Sequence, residues 1–570
     1  MARAVLVEVL RRFAARLWAG LSGARLGGWQ TIRAVSVVIL PLALLPWIDI
    51  QIYKELGSPL FRDAAMCQYS GWCLRHGVSL YGDVGAPDGP LIHVLHAALQ
   101  IFAGISDRGC RRADLVLQLL GSGTMGALLA PRLAETKLAA FLQRLAWALL
   151  AALLWMTWYC NLGWARTIQR DAYYGLVGCV SLVLVHTSAD MTPRRARVAA
   201  FIGGMLAILM IFSRHSGLAI PACAAISILL TDDAAAEKRR LRWRAALAGG
   251  AAGLLFVLLL LLLFGSLRGF VFWYLRYPFA YYRWVGKQSF WGLLAQNYPG
   301  AAQEAVLGLV GVVVAVATKA VARRTLALAF PGVLFLIAAC LMGKGWPNHI
   351  DQVTAMTIPL ELLALSTIWN SNPGEARWPA AQTGFAIIVL LFVSWRTIDT
   401  LHESPYYAMS TPQAVDSDIL EAKVVGAYLK KHTAPDDRVF NYGHESHVPL
   451  DAERKPAIPY YANIVFNIEG VYKAAPPAPD QQPNAKQYAK LKGLQAEIAA
   501  DACSRLQKAP PGAMVFLEGS LGAFRGVEDV VALCPPVADL LKLRYKQVLV
   551  PGAGAGYKVF LSKENAARYP

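Results

Sequence analysis

Apolar runs of roughly twenty residues recur through the first 400 positions, and a chain built this way has few folds open to it. Hydrocarbon offers no water to backbone polar groups, so each such run must satisfy its own hydrogen bonds as a helix. A spanning helix needs about 20 mainly apolar residues. Runs near 34–52, 113–133, 145–162, 172–188, 196–213, 216–231, 245–266, 302–318, 325–342, 352–369 and 380–397 qualify, eleven in all. Composition agrees: 56% of the 570 residues are hydrophobic and 16% charged, and the mean hydropathy is positive. That is too little charge to cover a soluble protein of this size.

A twelfth segment, 90–104 (PLIHVLHAALQIFAG), is short and carries His93, His96 and Gln100, which suits a helix lying along the interface. Charge decides the count. With eleven spans and a cytoplasmic N-terminus, three dense basic clusters face the cytoplasm: Arg194/Arg195/Arg197, Lys238 to Arg244, and Lys319/Arg323/Arg324. A twelfth span would move all three outside. The group Arg108/Arg111/Arg112 argues the other way, one cluster against three. The basic N-terminus (Arg3, Arg11, Arg12, Arg16, Arg25, Arg33) precedes the first run with no small-residue cleavage site after it, so that run reads as an uncleaved span.

The loops at 53–112, 163–171, 214–216, 267–301 and 343–351 then share the outer face with everything after residue 400. The expected division is a membrane domain over 1–399 and a soluble extracytoplasmic α/β domain over 400–570. In the latter, SDILEAKVVGAYLKKH has a helix start at Ser417 or Asp418 and a proline stop at Pro435. RVFNYG, AMVFLEG and YKVFLSK read as strands, and the Pro-rich 476–483 as a loop or disordered insert. The net charge of +18 sits in short loops without any recognition motif, which argues against nucleic acid. Nine cysteines show no CxxC, so zinc-site spacing is absent; Cys503 and Cys534 could bridge if their domain is extracytoplasmic.

The chemistry-bearing residues concentrate in the outer loops. Asp63 follows Arg62 just beyond the first span and precedes an amphipathic run, AAMCQYSGWCLRHG. An ionised carboxylate there suits a general base, or an ordinary loop acid paired with Arg62. Arg166, Arg170 and Asp171 stand at the start of a span, where guanidinium matches phosphate or snorkels to the interface. Arg214 and His215 lie between two apolar runs with almost no loop, a costly position for charge unless it lines a wet cavity. Gly343-Lys344-Gly345-Trp346-Pro347-Asn348-His349 is a tight turn whose Lys344 could meet a phosphate and whose His349 could donate a hydrogen bond; it is not a Walker loop. FVFWYLRYPFAYYRWVGKQSFW at 270–291 is densely aromatic, as expected of an interfacial helix bordering a lipid groove.

These segments resemble the multi-span GT-C glycosyltransferases, in the branch of protein O-mannosyltransferases and the aminoarabinose transferase (glycosyltransferase family 39-like). The resemblance rests on Asp63, Gly77, Tyr81, Asp83 and Pro90 in order along the first outer loop, on Gln169-Arg170-Asp171, on Arg214-His215, on Lys344 to His349 with Pro359, and on the strand PDDRVFNYG. It implies a GT-C-like multi-pass helical fold with a C-terminal α/β domain, in a bacterial inner membrane, with its site on the periplasmic side. It implies a polyprenyl-phosphate-linked monosaccharide as donor and a glycolipid, polysaccharide or protein acceptor. Asp63 would be the base of an inverting transfer, and Arg62, Arg170, Arg214 and Lys344 the donor-phosphate contacts. Asp171, His215, His349, Tyr81 and Asp83 would support them or the acceptor. No cofactor is required; a divalent metal is compatible but not implied. The chain departs from the pattern where Asp88-Gly89-Pro90 stands in place of Lys-Pro-Pro, which removes a phosphate-binding lysine. A flippase for lipid-linked saccharide or a polysaccharide polymerase or ligase would also use outer-face cations; a flippase would usually show charges deep in its spans or an internal repeat.

Overall fold

The computed structural model describes residues 56–370 and 417–569, apart from 86, 132–136, 163–164, 232–235, 318–320, 347–348, 444, 461–466, 468–470, 473–474 and 520–523. The expected spans at 34–52 and 380–397, the basic N-terminus, the boundary near 400, and Pro347 and Asn348 lie outside the described residues.

The first described helix, α1 (Arg62–Arg75), is followed by α2 (Pro90–Ala103) and α3 (Asp107–Leu129). Then come α4 (Lys137–Asn161), α5 (Arg170–Thr187), α6 (Pro193–Ile211), α7 (Ala219–Leu229) and α8 (Ala236–Phe264). Short helical turns over 267–297 lead to α9 (Pro299–Ala317), α10 (Leu326–Met342), α11 (Asp351–Ala355) and α12 (Ile358–Asn370). Five stretches, at 140–160, 170–190, 236–264, 299–317 and 323–342, are long and apolar enough to cross a membrane. Along α8 the leucines at 258, 259, 262 and 263 point outward and exposed, a face that suits contact with lipid.

Three expectations change. The run at 352–369 is two helices, because Pro359 has no N–H to continue an earlier helix; the backbone restarts at Thr357, whose carbonyl accepts from Leu360 and Glu361. The segment at 90–104 forms a 14-residue helix. At ~1.5 Å per residue that is about 21 Å, short of the ~30 Å hydrocarbon core. Its polar residues do not face an interface: His93, His96 and Gln100 are buried, with His96 Nδ1 2.9 Å from Gln68 Oε1 and Gln100 donating to the Gln68 carbonyl at 2.7 Å. The run after Asp63 is not amphipathic in its surroundings either. From Ala64 to Cys73 every residue of α1 is buried, because α2 covers one side and the C-terminal region another.

Gly249 of α8 and Gly204 of α6 mark a close approach of two helices. A Cβ on Gly249 would lie 1.9 Å from the Phe201 carbonyl oxygen, and one on Gly204 2.2 Å from that of Ala246, so α6 and α8 pack backbone to backbone. At the end of the bundle carrying the basic clusters, Arg324 pairs with Asp190, and Arg242 donates to Ser188 Oγ and the Val185 carbonyl.

The C-terminal region opens with α13 (Ser417–His432) and carries one five-stranded sheet. Its strands are β1 (Arg438–Tyr442), β2 (Lys455–Pro456), β3 (Ala513–Leu517), β4 (Tyr545–Val548) and β5 (Tyr557–Ser562), in the order β2-β1-β3-β5-β4. The β2-β1-β3 pairs are parallel and β3-β5-β4 antiparallel. β3, AMVFL, is buried at every position, as a central strand covered on both faces should be. α14 (His447–Ala452) and α15 (Ala485–Lys508) flank the sheet, the latter opened by an Asn484–Gln487 capping box. Residues 478–482 are an ordered turn anchored by the Ala478 N–H on the Lys287 carbonyl at 2.7 Å. Cys503 and Cys534, 5.6 Å apart at Cα, are disulfide-bonded. Tyr81, Trp273 and Tyr281 share one apolar cluster with Phe440, Leu491 and Phe516, so the sheet region and the loops carrying those aromatics have a common core.

Candidate functional site

A cavity of about 180 Å³ lies where several loops of the helical bundle meet. Each of the five loops assigned to one face contributes: Asp63 and Asp88 from the first, Arg170 from the second, Arg214 and His215 from the third, Trp273 and Tyr282 from the fourth, and Trp346 and His349 from the fifth. Tyr460, from the C-terminal region, closes one wall.

Asp63 sits in the first turn of α1, where the positive end of the helix dipole favours an anion. Among the described residues its carboxylate has no hydrogen-bond or ion-pair partner. Arg62, its neighbour in sequence, does not line the cavity. Its Nε and one Nη lie 3.0 Å from Glu445 and 3.0 Å from Asp418.

The second loop turns at Ile168, whose φ of +64° is unusual for a β-branched residue. That turn presents Gln169 and Arg170 to the cavity and starts α5 with Asp171 behind them. Asp171, 1% exposed, pairs with Arg214, accepts from Gln352, and lies 3.6 Å from Arg170 Nε. Arg170 also pairs with Asp88, a buried residue the sequence pointed to only as a missing lysine. Arg170 and Arg214 are therefore both held by carboxylates: three acids, Asp63, Asp88 and Asp171, surround two guanidiniums.

His215 stacks on Tyr274 at 4.3 Å, and its Nε2 lies 2.7 Å from the Tyr274 carbonyl oxygen. His349 is 1% exposed, and neither ring nitrogen has a partner among the described residues. Burial, reinforced by Arg214, Arg170 and Lys344, pushes its pKa well below the usual histidine value, so it is a neutral imidazole. Lys344 is behind the cavity wall. Its ammonium nitrogen reaches the Tyr282 carbonyl at 2.5 Å and that of Val285, and it lies 4.7 Å from the Tyr282 ring centre. Burial, then Lys287, lowers its pKa to about 7. Tyr81 and Asp83 do not line the cavity. Tyr81 takes a left-handed backbone (φ +66°) and donates its hydroxyl to the Asp88 carbonyl at 2.5 Å, which shapes the loop carrying Asp88. Asp83 lies 3.5 Å from Arg505.

Sequence reasoning missed Asp88, Glu445, Gln352 and Asp351. Asp351 pairs with Arg166 at 2.9 Å, and burial raises its pKa to about 7 despite Arg166. Its place beside the KGWPNH turn was the available signal. Among the described residues no three metal-ligating side chains cluster.

A second cavity of about 430 Å³ runs between α6, α7 and α8, lined by Gly204, Ile208, Ile211, Phe212, Trp243 and Leu254 among others, with little polar surface. Two of its lining residues, Ile211 and Phe212, directly precede in the chain Ser213 and Arg214, which line the polar cavity. The polar cavity thus holds two guanidiniums and a carboxylate within aromatic walls, and the apolar groove is a separate cavity. The polar cavity can hold an anionic group on its guanidiniums and accept a proton at Asp63 beside it.

No protein-family model and no curated protein matches the chain. Its structure is similar to that of ArnT from Cupriavidus metallidurans bound to undecaprenyl phosphate, with 11% identity and a TM-score of 0.47 over 92% of this chain and 98% of that one. It is also similar to an oligosaccharyltransferase from Archaeoglobus fulgidus in the apo form, with 10% identity and a TM-score of 0.42 over 84% of this chain and 70% of that one.

Proposed function

We propose that this chain is an integral-membrane glycosyltransferase that moves a monosaccharide from a polyprenyl-phosphate donor to an extracytoplasmic acceptor, with inversion. The observation that carries the reading is one cavity that gathers Arg170, Arg214 and Asp63 beside the aromatic Trp273 and Tyr282, in a bundle that also has an apolar groove between α6, α7 and α8. The prenyl tail lies along α6, α7 and α8, and the phosphate meets Arg170 and Arg214 through paired charge-assisted hydrogen bonds. The sugar rests against the aromatic walls, of which Trp273 and Tyr460 are 5.5 Å apart between ring centres.

The acceptor hydroxyl attacks the anomeric carbon from the face opposite the phosphate, and its proton passes to Asp63. The anomeric C–O bond to phosphate breaks, and the phosphate leaves with the bonding pair as polyprenyl phosphate. Arg170 and Arg214 stabilise the charge that builds on it. Neutral His349 can donate one hydrogen bond to a phosphate or sugar oxygen without adding charge. Asp171 orients Arg214, and Gln352 orients Asp171.

The extracytoplasmic assignment is supported by the basic clusters at the opposite end of the bundle. The Cys503–Cys534 bridge, stable in an oxidising compartment, points the same way. The test is sugar transfer in membranes from labelled polyprenyl-phosphate sugars, comparing wild type with Asp63→Asn. Loss of transfer at unchanged expression is expected. Transfer by the variant at the wild-type rate removes Asp63 from the mechanism, and passage of donor across the membrane with its glycosidic bond intact favours a flippase.

A further inference from the structure

α1 has no side-chain cap. Phe61 stands at its N-cap position, and its ring has no oxygen to accept from the amides of the first turn. The segment leading into it is instead gripped by distant groups. Arg111 of α3 donates to the Ser58 carbonyl at 2.8 Å, and His447 Nε2 lies 2.8 Å from the Leu60 oxygen. Arg62 opens the helix with its Nε 3.0 Å from Glu445 Oε2. About two turns further on, Tyr69 donates to the Arg454 carbonyl at 2.8 Å. Glu445 is itself set: its side chain is 1% exposed, and its carbonyl accepts from Asn441 of β1 at 2.9 Å. Adjacent residues of a helix point about 100° apart, so fixing Arg62 on the sheet side fixes the direction in which Asp63 leaves on the cavity side.

We infer that Glu445 is a positioning residue: through Arg62, the C-terminal α/β region aims Asp63 into the cavity. The inference rests on the reading of Asp63 as the base and gives the C-terminal region its part in that reaction. Glu445 touches neither cavity nor substrate. Its effect passes through the first turn of α1, whose first backbone bond runs from the Ala65 N–H to the Phe61 carbonyl at 2.8 Å.

The test uses the full-length protein in nanodiscs, as wild type, Glu445→Gln, Glu445→Asp and Asp63→Asn. Two readouts are taken: amide hydrogen exchange, and kcat and KM for a labelled polyprenyl-phosphate sugar. Glu445→Gln is expected to speed exchange at Ala65 to Cys67 by about tenfold or more, a local opening, while β1 amides keep their protection. It lowers kcat by about a hundredfold, the cost of a catalytic group misplaced by ~1 Å, with KM within about threefold. Glu445→Asp restores the charge and recovers most of both. Unchanged exchange at Ala65 to Cys67 overturns the inference, as does loosening of β1 to the same degree or an equal loss of kcat in Glu445→Asp. If Asp63→Asn transfers sugar normally, the reading of Asp63 fails instead, and the exchange data alone decide whether Glu445 holds the helix start.

Discussion

Asp88 makes the sharpest prediction, because its carboxylate occupies the guanidinium that the proposed donor phosphate needs. Arg170 pairs with Asp88 and Asp171 at once, and Asp88 is 3% exposed. A phosphate bound to Arg170 would sit roughly 6 Å from the Asp88 carboxylate. At an effective dielectric of ~20 this repulsion is about 3 kcal/mol. Asp88→Asn removes it and keeps a hydrogen-bonding group of the same shape. Part of the gain is lost, since Arg170 in the free enzyme then draws closer to Asp171. Taking half, about 1.4 kcal/mol, gives about tenfold tighter binding. The assay is titration of purified protein in nanodiscs with a short-chain prenyl phosphate at fixed ionic strength, read by calorimetry. A lower kcat is expected alongside, because the departing prenyl phosphate is released more slowly. Equal or weaker binding by Asp88→Asn would refute the idea that Asp88 competes with the phosphate for Arg170.

Two further outcomes test the packing and the charge states around the cavity. Lys344 has its pKa lowered from 10.5 to about 7 by burial and then by Lys287. Between about pH 7 and 10.5 the unfolded chain therefore holds a proton that the folded chain has shed, so stability rises with pH across that window. Thermal unfolding in detergent at pH 7 and pH 9 should show wild type gaining relative to Lys344→Met; a pH-independent difference means the buried amine stays charged. Gly89→Ala sets a Cβ 1.6 Å from the Phe212 carbonyl oxygen, next to both Asp88 and Arg214. Overpacking of this kind costs about 1–3 kcal/mol, so the variant should unfold at a lower temperature, while Gly57→Ala, with nothing within 4 Å of its Cβ, should not.

Much of this architecture can be read along the chain. Hydropathy marks where helices such as α5, α8, α9 and α10 run, since each must bury or expose its own apolar surface to lipid. Alternation and turn residues mark β1, β3 and β5. The short strands β2 and β4 are invisible in that way: two or four residues carry no period, and Lys546 and Gln547 on the exposed edge look like loop. The placement of the loops on one face follows from counting basic residues, and those loops do converge on one cavity.

What the linear order does not hold is which charges meet. Arg62 and Asp63 are covalent neighbours, yet one faces Glu445, 383 positions away, and the other the cavity, because a helix turns successive side chains apart. Asp88 reads in sequence as the absence of a lysine and in space as the partner of Arg170. Hydropathy and turn chemistry are local energies, and a run of residues expresses them unaided. An ion pair between distant segments depends on where whole helices and a sheet come to rest, and so appears only once the chain has packed.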